Sequence, residues 1–242
     1  MLWSKAIGAG GAGGVGGSGI SFVGQVTNTA GPAAAAVANL TTLSGGTDSS
    51  PEAGDFVIAL IHLTSSDDSP AGRGSISTSG YTTLLGPTLV GNAPLDAFLT
   101  VGYKFMGATP DLELRTSAGY GSNTSEVLQA RVYRGVSTIS PIDVFPVTSA
   151  AKPVNPPPIS PSVGAWVIAG GGVTVLGNTS STAISSPDLD AFYSASIFVF
   201  DYDSIAGWGH SQEIFNPAAF VEVSMGSFYE ARAACTFSIN KA

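Results

Sequence analysis

Charge is what this sequence has least of: Asp, Glu, Lys and Arg make up 11% of 242 residues, against about 25% in an average soluble domain. Nine Lys and Arg stand against 17 Asp and Glu, for a formal net charge of -8. Duplex nucleic acid is therefore not an expected partner, because binding it by counterion release needs clustered cations. One cysteine, Cys235, excludes an intrachain disulfide framework. Two histidines, His62 and His210, leave few candidates for a catalytic base. No Gly-x-Ser-x-Gly elbow, Walker loop or His-Glu-x-x-His motif occurs. The start of the chain carries no apolar h-region of a secretory signal. The longest weakly polar run, Val163 to Leu176, contains four glycines and is too short for a membrane-spanning helix, so no membrane insertion is expected.

What fills the gap is Gly (31 residues) and, in addition, Ser and Thr, which by themselves make up about a fifth of the chain. Helix surfaces lean on Glu, Lys and Arg, so this composition disfavours an ordinary helical protein. Disorder is disfavoured too, since 44% of the residues are hydrophobic and can offset the entropy of ordering.

Residues 1–19 read as an extended arm, with eight glycines between Gly8 and Gly19. The literal GxGxxG at Gly8, Gly10 and Gly13 has no strand pattern before it and a β-like segment, Ile20 to Val23, after it. It therefore lacks the context of a dinucleotide fingerprint, and no cofactor is expected. Met1, Leu2, Trp3 and Ile7 crowd large apolar groups ahead of the glycines, and Lys5 is the only charge before Asp48. A monomer gains little by ordering such a segment. Met1, Leu2, Trp3, Lys5 and Ile7 are accordingly read as an assembly anchor that inserts into another protein, with the glycines of several copies passing closely in a homo-oligomer, a trimer first.

From residue 20 to 242 strand signals recur between turn residues. Phe56 to Leu63 is apolar on both faces. In the last stretch Tyr229, Ala231, Ala233, Cys235, Phe237 and Ile239 alternate with Glu230, Arg232, Ala234, Thr236 and Ser238. Only Ala33 to Leu40 is helix-permissive, for one or two turns. Ten or more short strands without helices predict an all-β fold, a β-sandwich or jelly roll. An internal echo places Pro-x-x-Gly-x before an aromatic-Val-Ile-Ala strand twice, at Pro51 to Ala59 and Pro161 to Ala169. The proline run Lys152 to Pro161 lies between them. It reads as a stiff connection, either joining halves 20–151 and 162–242 as two domains or crossing between two sheets of one sandwich.

Three groups of side chains merit a chemical reading. Asp201 and Asp203 fall on one side of a strand and form a weak calcium candidate, and Asp188 with Asp190 forms a similar pair. Set at a cleft, such carboxylates would suit glycoside hydrolysis, and a solvated strand end in an acidic protein explains them as well. Gly207-Trp208-Gly209-His210-Ser211 reads as a glycine-framed loop that exposes an aromatic ring and an imidazole. With Tyr202 it would supply rings for stacking on sugars, a possible receptor contact. His62, inside an apolar strand, reads as structural, and Cys235 as a buried inert thiol.

The order of short motifs carries a resemblance. Gly54-Asp55 opens an apolar strand, and Gly80-Tyr81-Thr82-Thr83-Leu84 follows. Then come Gly102-Tyr103-Lys104-Phe105, Ala130-Arg131-Val132-Tyr133-Arg134-Gly135-Val136-Ser137 and Ser140-Pro141-Ile142-Asp143. Over roughly residues 50 to 170 this is similar to a β-sandwich module common in tailed-phage and prophage virion proteins, in which tryptophan usually stands where Tyr81 does here. The resemblance implies a non-enzymatic structural protein located in the virion, as a tail fibre, head spike or decoration component. Its expected partners are other virion proteins, reached through the arm. Host surface glycan is a further partner of such modules, and a carbohydrate-binding or adhesin module is the competing reading.

Overall fold

The computed structural model describes residues 19–32, 34–65, 74–92, 96–117, 124–150, 156–176, 184–185, 189–199, 202–211, 221–222 and 228–242. The first half of the chain forms β1 (Ser21–Ala30), β2 (Val37–Asn39), β3 (Phe56–Ser65), β4 (Thr82–Asn92), β5 (Asp96–Phe105), β6 (Glu113–Arg115) and β7 (Thr124–Arg134). The second half forms β8 (Val147–Ser149), β9 (Trp166–Leu176), β10 (Ile184–Ser185), β11 (Asp190–Val199), β12 (Tyr202–Ser211), β13 (Val221–Glu222) and β14 (Phe228–Ile239). Two five-stranded antiparallel sheets result, in the orders β1-β7-β3-β5-β4 and β11-β12-β9-β14-β8. Two short ribbons, β2-β6 and β10-β13, accompany them. The fold is all-β, and the two sheets lie face to face as a sandwich.

The two sheets share one topology. Reading the second as β8-β14-β9-β12-β11 aligns it with β1-β7-β3-β5-β4, so that β3 corresponds to β9, β5 to β12 and β7 to β14. The echoed sequences sit at equivalent places, since each leads into the central strand of its sheet. Gly54 (φ 89°) and Gly164 (φ 83°) both adopt the left-handed backbone that lets the chain turn into that strand.

Period-two alternation decides which side chains fill the sandwich. Phe56, Ile58 and Leu60 of β3 face inward with Ala97, Leu99 and Val101 of β5, and they meet Ile168 of β9 and Ala233, Cys235, Phe237 and Ile239 of β14. The opposite face of β3 is covered as well: Val57, Ala59 and Ile61 pack with Ala36, Ala38, Leu40 and Leu114 from the β2-β6 ribbon and its surroundings. That is why Phe56 to Leu63 carries no polar face. Burying each large side chain contributes about 1.5–3 kcal/mol.

Two expectations are corrected. Ala33 to Leu40 makes no α-helix: β2 occupies Val37–Asn39, and Leu40–Thr42 is a single 3-10 turn. Distant partners take the backbone bonds a helix would have used. The Ala36 amide donates to Thr116 Oγ1 (2.9 Å), and Val37 pairs with Arg115. Nor does the proline run cross between the sheets. The chain changes sheets in the segment between β7 and β8, where Ser137 N–H donates to Asn240 O (2.9 Å) and Asp143 N–H to Ser238 O (3.0 Å). The prolines that follow connect β8 with β9, both in the second sheet.

Candidate functional site: a buried arginine–histidine–tyrosine cluster

On β7 the inward positions are Gln129, Arg131 and Tyr133, while Leu128, Ala130 and Val132 pack on the outer face. On β12 the inward positions are Trp208 and His210, opposite Gly170 and Ile168 of β9. Facing strands therefore bring a guanidinium, a phenol and an imidazole together inside the sandwich. Arg131, with no exposed surface, donates from Nε to Tyr133 Oη (2.9 Å) and from Nη1 to Gln25 Oε1 (2.7 Å) and Trp208 O (3.0 Å). Its Nη2 lies 2.9 Å from His210 Nδ1.

Arginine can only donate, so His210 Nδ1 is the acceptor and the imidazole proton resides on Nε2. Tyr133 Oη stands 3.3 Å from the same Nδ1. Aromatic rings close the cluster. Arg131 lies over Phe22 at 4.8 Å, and His210 lies 4.8 Å from both Phe22 and Trp166. Burial, reinforced by the Arg131 charge, lowers the His210 pKa to about 3. Burial raises that of Tyr133, although Arg131 works against the shift. A neutral imidazole with its acceptor nitrogen already engaged is a poor base. The cluster ties the sheets together.

His62 faces inward from β3, and burial lowers its pKa to about 3. Its ring nests against backbone, because a Cβ on Gly172 would come within 2.4 Å of it. Cys235 is buried, and burial pushes its thiol well up, which suits an inert core side chain. Both match their structural readings.

The pair of histidines makes stability depend on pH with a defined sign. Between about pH 6.5 and 3 the unfolded chain binds a proton at each histidine that the folded chain does not. Stability therefore falls as pH falls through that window, by ~1.4 kcal/mol per pH unit for each histidine. Urea midpoints measured from pH 7 to 4 should drop steeply below pH 6.5, and His62→Gln should roughly halve the slope. A flat profile from pH 7 to 5 would refute the neutral, buried state of both rings.

The sugar-stacking expectation does not hold for Trp208 and His210. Gly207 to Ser211 is part of β12 rather than a loop, and these side chains are only 1% and 3% exposed. Gly207 and Gly209 misled because they lie within a strand, and the Trp208 ring packs beside Gly170 of β9, where a Cβ would lie 2.5 Å from it. Tyr202 begins β12, but its side chain lies outside the described residues, as does that of Asp203. Asp201, Asp188 and the anchor residues Met1, Leu2, Trp3, Lys5 and Ile7 lie outside them entirely. Asp190 opens β11, exposed and in register with His210. Among the described residues no group of three or more His, Cys, Asp or Glu is placed to hold a metal ion.

The ordered motifs turn out to be structural joints at one end of the sandwich. Asp55, buried, accepts from Arg134 Nε (2.8 Å) and Nη2 (3.0 Å), so the Gly-Asp motif and the Tyr-Arg-Gly-Val motif hold each other. Arg134 also reaches Asp48 (3.2 Å) and Glu52 (3.1 Å). Lys104 pairs with Asp111 (2.7 Å) beside Tyr81. Asp143 accepts from Ser162 N–H (2.7 Å), Ser162 Oγ (2.6 Å) and Ser238 Oγ (3.0 Å). Burial works against that carboxylate, yet these bonds outweigh it and hold its pKa below the ordinary value. Two surface hollows are lined by described residues. One, of about 450 Å³, is bounded by Asn39, Thr41, Leu112 and Glu113, and one of about 150 Å³ by Gln25, Val26, Thr27, Thr42 and Ser44. Neither contains a histidine.

Arg131 was in view in the sequence only as part of a motif. The available signal was Gln129, Arg131 and Tyr133 in phase on one face of an otherwise apolar strand. That pattern ordinarily marks a solvent-facing side, so it concealed an interior one. In comparisons with family models, with curated proteins and with solved structures, the chain matches none.

Proposed function

We propose that this protein is a non-enzymatic structural component of a tailed-phage virion, of tail-fibre, head-spike or decoration type, held in the particle by residues 1–19. The observation that carries the reading is where its chemistry-bearing groups lie. Arg131, Tyr133, His62, His210 and Cys235 are all buried within the sandwich, and the motifs that resemble those of virion sandwich modules serve as joints of the same scaffold. Such a protein is built to be a rigid body that is displayed or packed. Its low charge and wealth of Ser, Thr and Gly suit close packing among copies, where backbone and hydroxyl contacts replace ion pairs.

The competing adhesin reading rested on exposed stacking rings, and the burial of Trp208 and His210 removes two of its three residues. The arm enters the sandwich at Gly19, against Gly135, the same end at which the motif joints lie. Supplied during particle assembly, the full chain should be incorporated. A chain lacking residues 1–19 should remain a soluble folded sandwich and be missing from purified particles, as mass spectrometry would show. Normal occupancy by the truncated chain would overturn the anchor. Exclusion of the full chain as well would overturn the virion reading.

A further inference from the structure

We propose that the sandwich has one fixed seam and one latch. The sheets part along β7 and β12 when His210 takes up a proton, and they stay joined along β14 and β5. The two seams are counterparts. In the echoed sequences Ile58 corresponds to Ile168. Ile58 pairs with Arg131 on one side and Tyr103 on the other, and Ile168 with Phe237 and His210. Two residues on, Leu60 pairs with Gln129 and Val101, and Gly170 with Cys235 and Trp208. The rings keep the same relation: Phe56 lies 5.0 Å from Tyr103 and Trp166 4.8 Å from His210, each pair tilted by 33°. His62 meets Gly172 and Thr64 meets Thr174, counterpart against counterpart. That happens only beside a rotation axis, so a pseudo-twofold runs between β3 and β9. It carries the contact of β7 with β12 onto that of β14 with β5.

One joint is thus built twice from different chemistry. On the β14 and β5 side, Cys235, Phe237 and Ile239 share a core with Val101 and Tyr103, and none of these takes up a proton in acid. On the β7 and β12 side, Arg131 donates to Trp208 O and, at 2.9 Å, to His210 Nδ1. Only a free lone pair lets an imidazole face a guanidinium so closely. A proton on Nδ1 turns the acceptor into a donor and sets two cations against each other. The other groups around the ring are Tyr133 of β7, 3.3 Å from Nδ1, Phe22 of β1 and Trp166 of β9. Asp190, in register on β11, is exposed. Glu126 and Arg134 occupy the other phase of β7, and Asp203 lies toward the far end of β12. Parting the strands gives the ring to water. From about pH 6.5 down to about 3, each pH unit therefore favours the open seam about tenfold. The inference rests on the two sheets alone and stands apart from the virion reading.

The counterparts Gln129 and Cys235, both buried, give matched probes in full-length chains. The thiol reagent 4,4′-dithiodipyridine is applied to the parent, which reports at Cys235, and to Gln129→Cys/Cys235→Ala, which reports at the latch. Rates are divided by those of the same chains unfolded in urea. At pH 5 the thiol at position 129 should react at least tenfold faster than Cys235. Its rate should climb about tenfold per unit from pH 6.5 to 4.5. His210→Tyr, which copies Tyr103, should flatten that climb, and His62→Gln, at the axis, should leave it. Equal rates at the two positions would mean that the sheets separate as one body, and would overturn the proposal. So would a climb that survives His210→Tyr or disappears in His62→Gln. Full-length Trp3→Phe, with its core intact, supplies a second reading. Acrylamide quenching of Trp166 and Trp208 should rise below pH 6.5 in urea short of the unfolding transition, while Cys235 stays unlabelled. Quenching and labelling that rise together would equally overturn the latch.

Discussion

Arg131→Met should lower the stability of the folded chain by about 3–5 kcal/mol, the cost of breaking a buried charged network by removing one partner. Because natural domains hold about 5–15 kcal/mol in all, the variant is expected at the edge of unfolding. The guanidinium serves Gln25 Oε1, Trp208 O, Tyr133 Oη and His210 Nδ1 together, and Met offers none of them a donor. Each acceptor left buried without its bond costs about 1–3 kcal/mol. Arg131→Lys should recover only part of the loss, since an ammonium cannot reproduce the planar fork that reaches both sheets. Replacing the set as Gln25→Leu/Arg131→Met/Tyr133→Phe/His210→Leu should cost much less than the sum of the single changes, because no polar remainder is left. Denaturant midpoints for the single and combined variants would decide. Arg131→Met within 1 kcal/mol of the parent would show that the cluster is incidental to the joining of the sheets.

The same cluster shows where sequence reading reached and where it stopped. The alternation read in Tyr229 to Ile239 separates the two faces of β14 where the structure describes its side chains: Ala231, Ala233, Cys235, Phe237 and Ile239 share the core of the sandwich. No such alternation was read in β7, and β12 was read in part as a loop; their inward phases hold Arg131 and His210. Periodicity reports two faces but not which of them meets a second sheet. A polar inner face is recognised only when its partner strand, far away in sequence, is known. Glycine misled for a related reason. In Gly207-Trp208-Gly209 it was read as freedom of the backbone, whereas the segment is strand, and the glycines that leave room for a ring are Gly170, beside Trp208, and Gly172, against His62.

The internal echo was legible at nine positions on each side and no further. Yet the strand orders of the two sheets coincide throughout, so topology persists where side chains have diverged. The divergence follows from the packing. Within the sandwich the two central strands cannot both present large residues where they cross, and the choice has fallen oppositely on each. β3 carries Leu60, His62 and Thr64 inward, while β9 carries Gly170, Gly172 and Thr174. Thr64 and Thr174 touch through their hydroxyls at 2.7 Å. One residue pair away, His62 fills the space that Gly172 leaves empty.

That arrangement leaves Gly172 no room for a side chain while the His62 ring is in place. A Cβ there would lie 2.4 Å from Cγ and Cδ2 of His62 and 2.7 Å from Nε2. Neither side can give way readily, since His62 is fully buried on the central strand of one sheet and Gly172 lies on the central strand of the other. Gly172→Ala should therefore destabilise by about 1–3 kcal/mol, the usual cost of overpacking a core. Gly172→Val should cost more.

His62→Ala alone removes the ring and leaves a cavity, and it should also be destabilising. In the double variant the new methyl enters the space the ring vacates. The combined loss should then fall short of the sum by about 0.5–3 kcal/mol, the range found for residues in direct contact. Gly107→Ala supplies the control, because a Cβ there meets nothing within 4 Å. It should be neutral or gain a few tenths of a kcal/mol by restricting the unfolded chain. Denaturant titration of these five variants measures each quantity. Strict additivity of Gly172→Ala and His62→Ala would mean that the ring and the glycine do not meet, and the packing of β3 against β9 would have to be drawn differently.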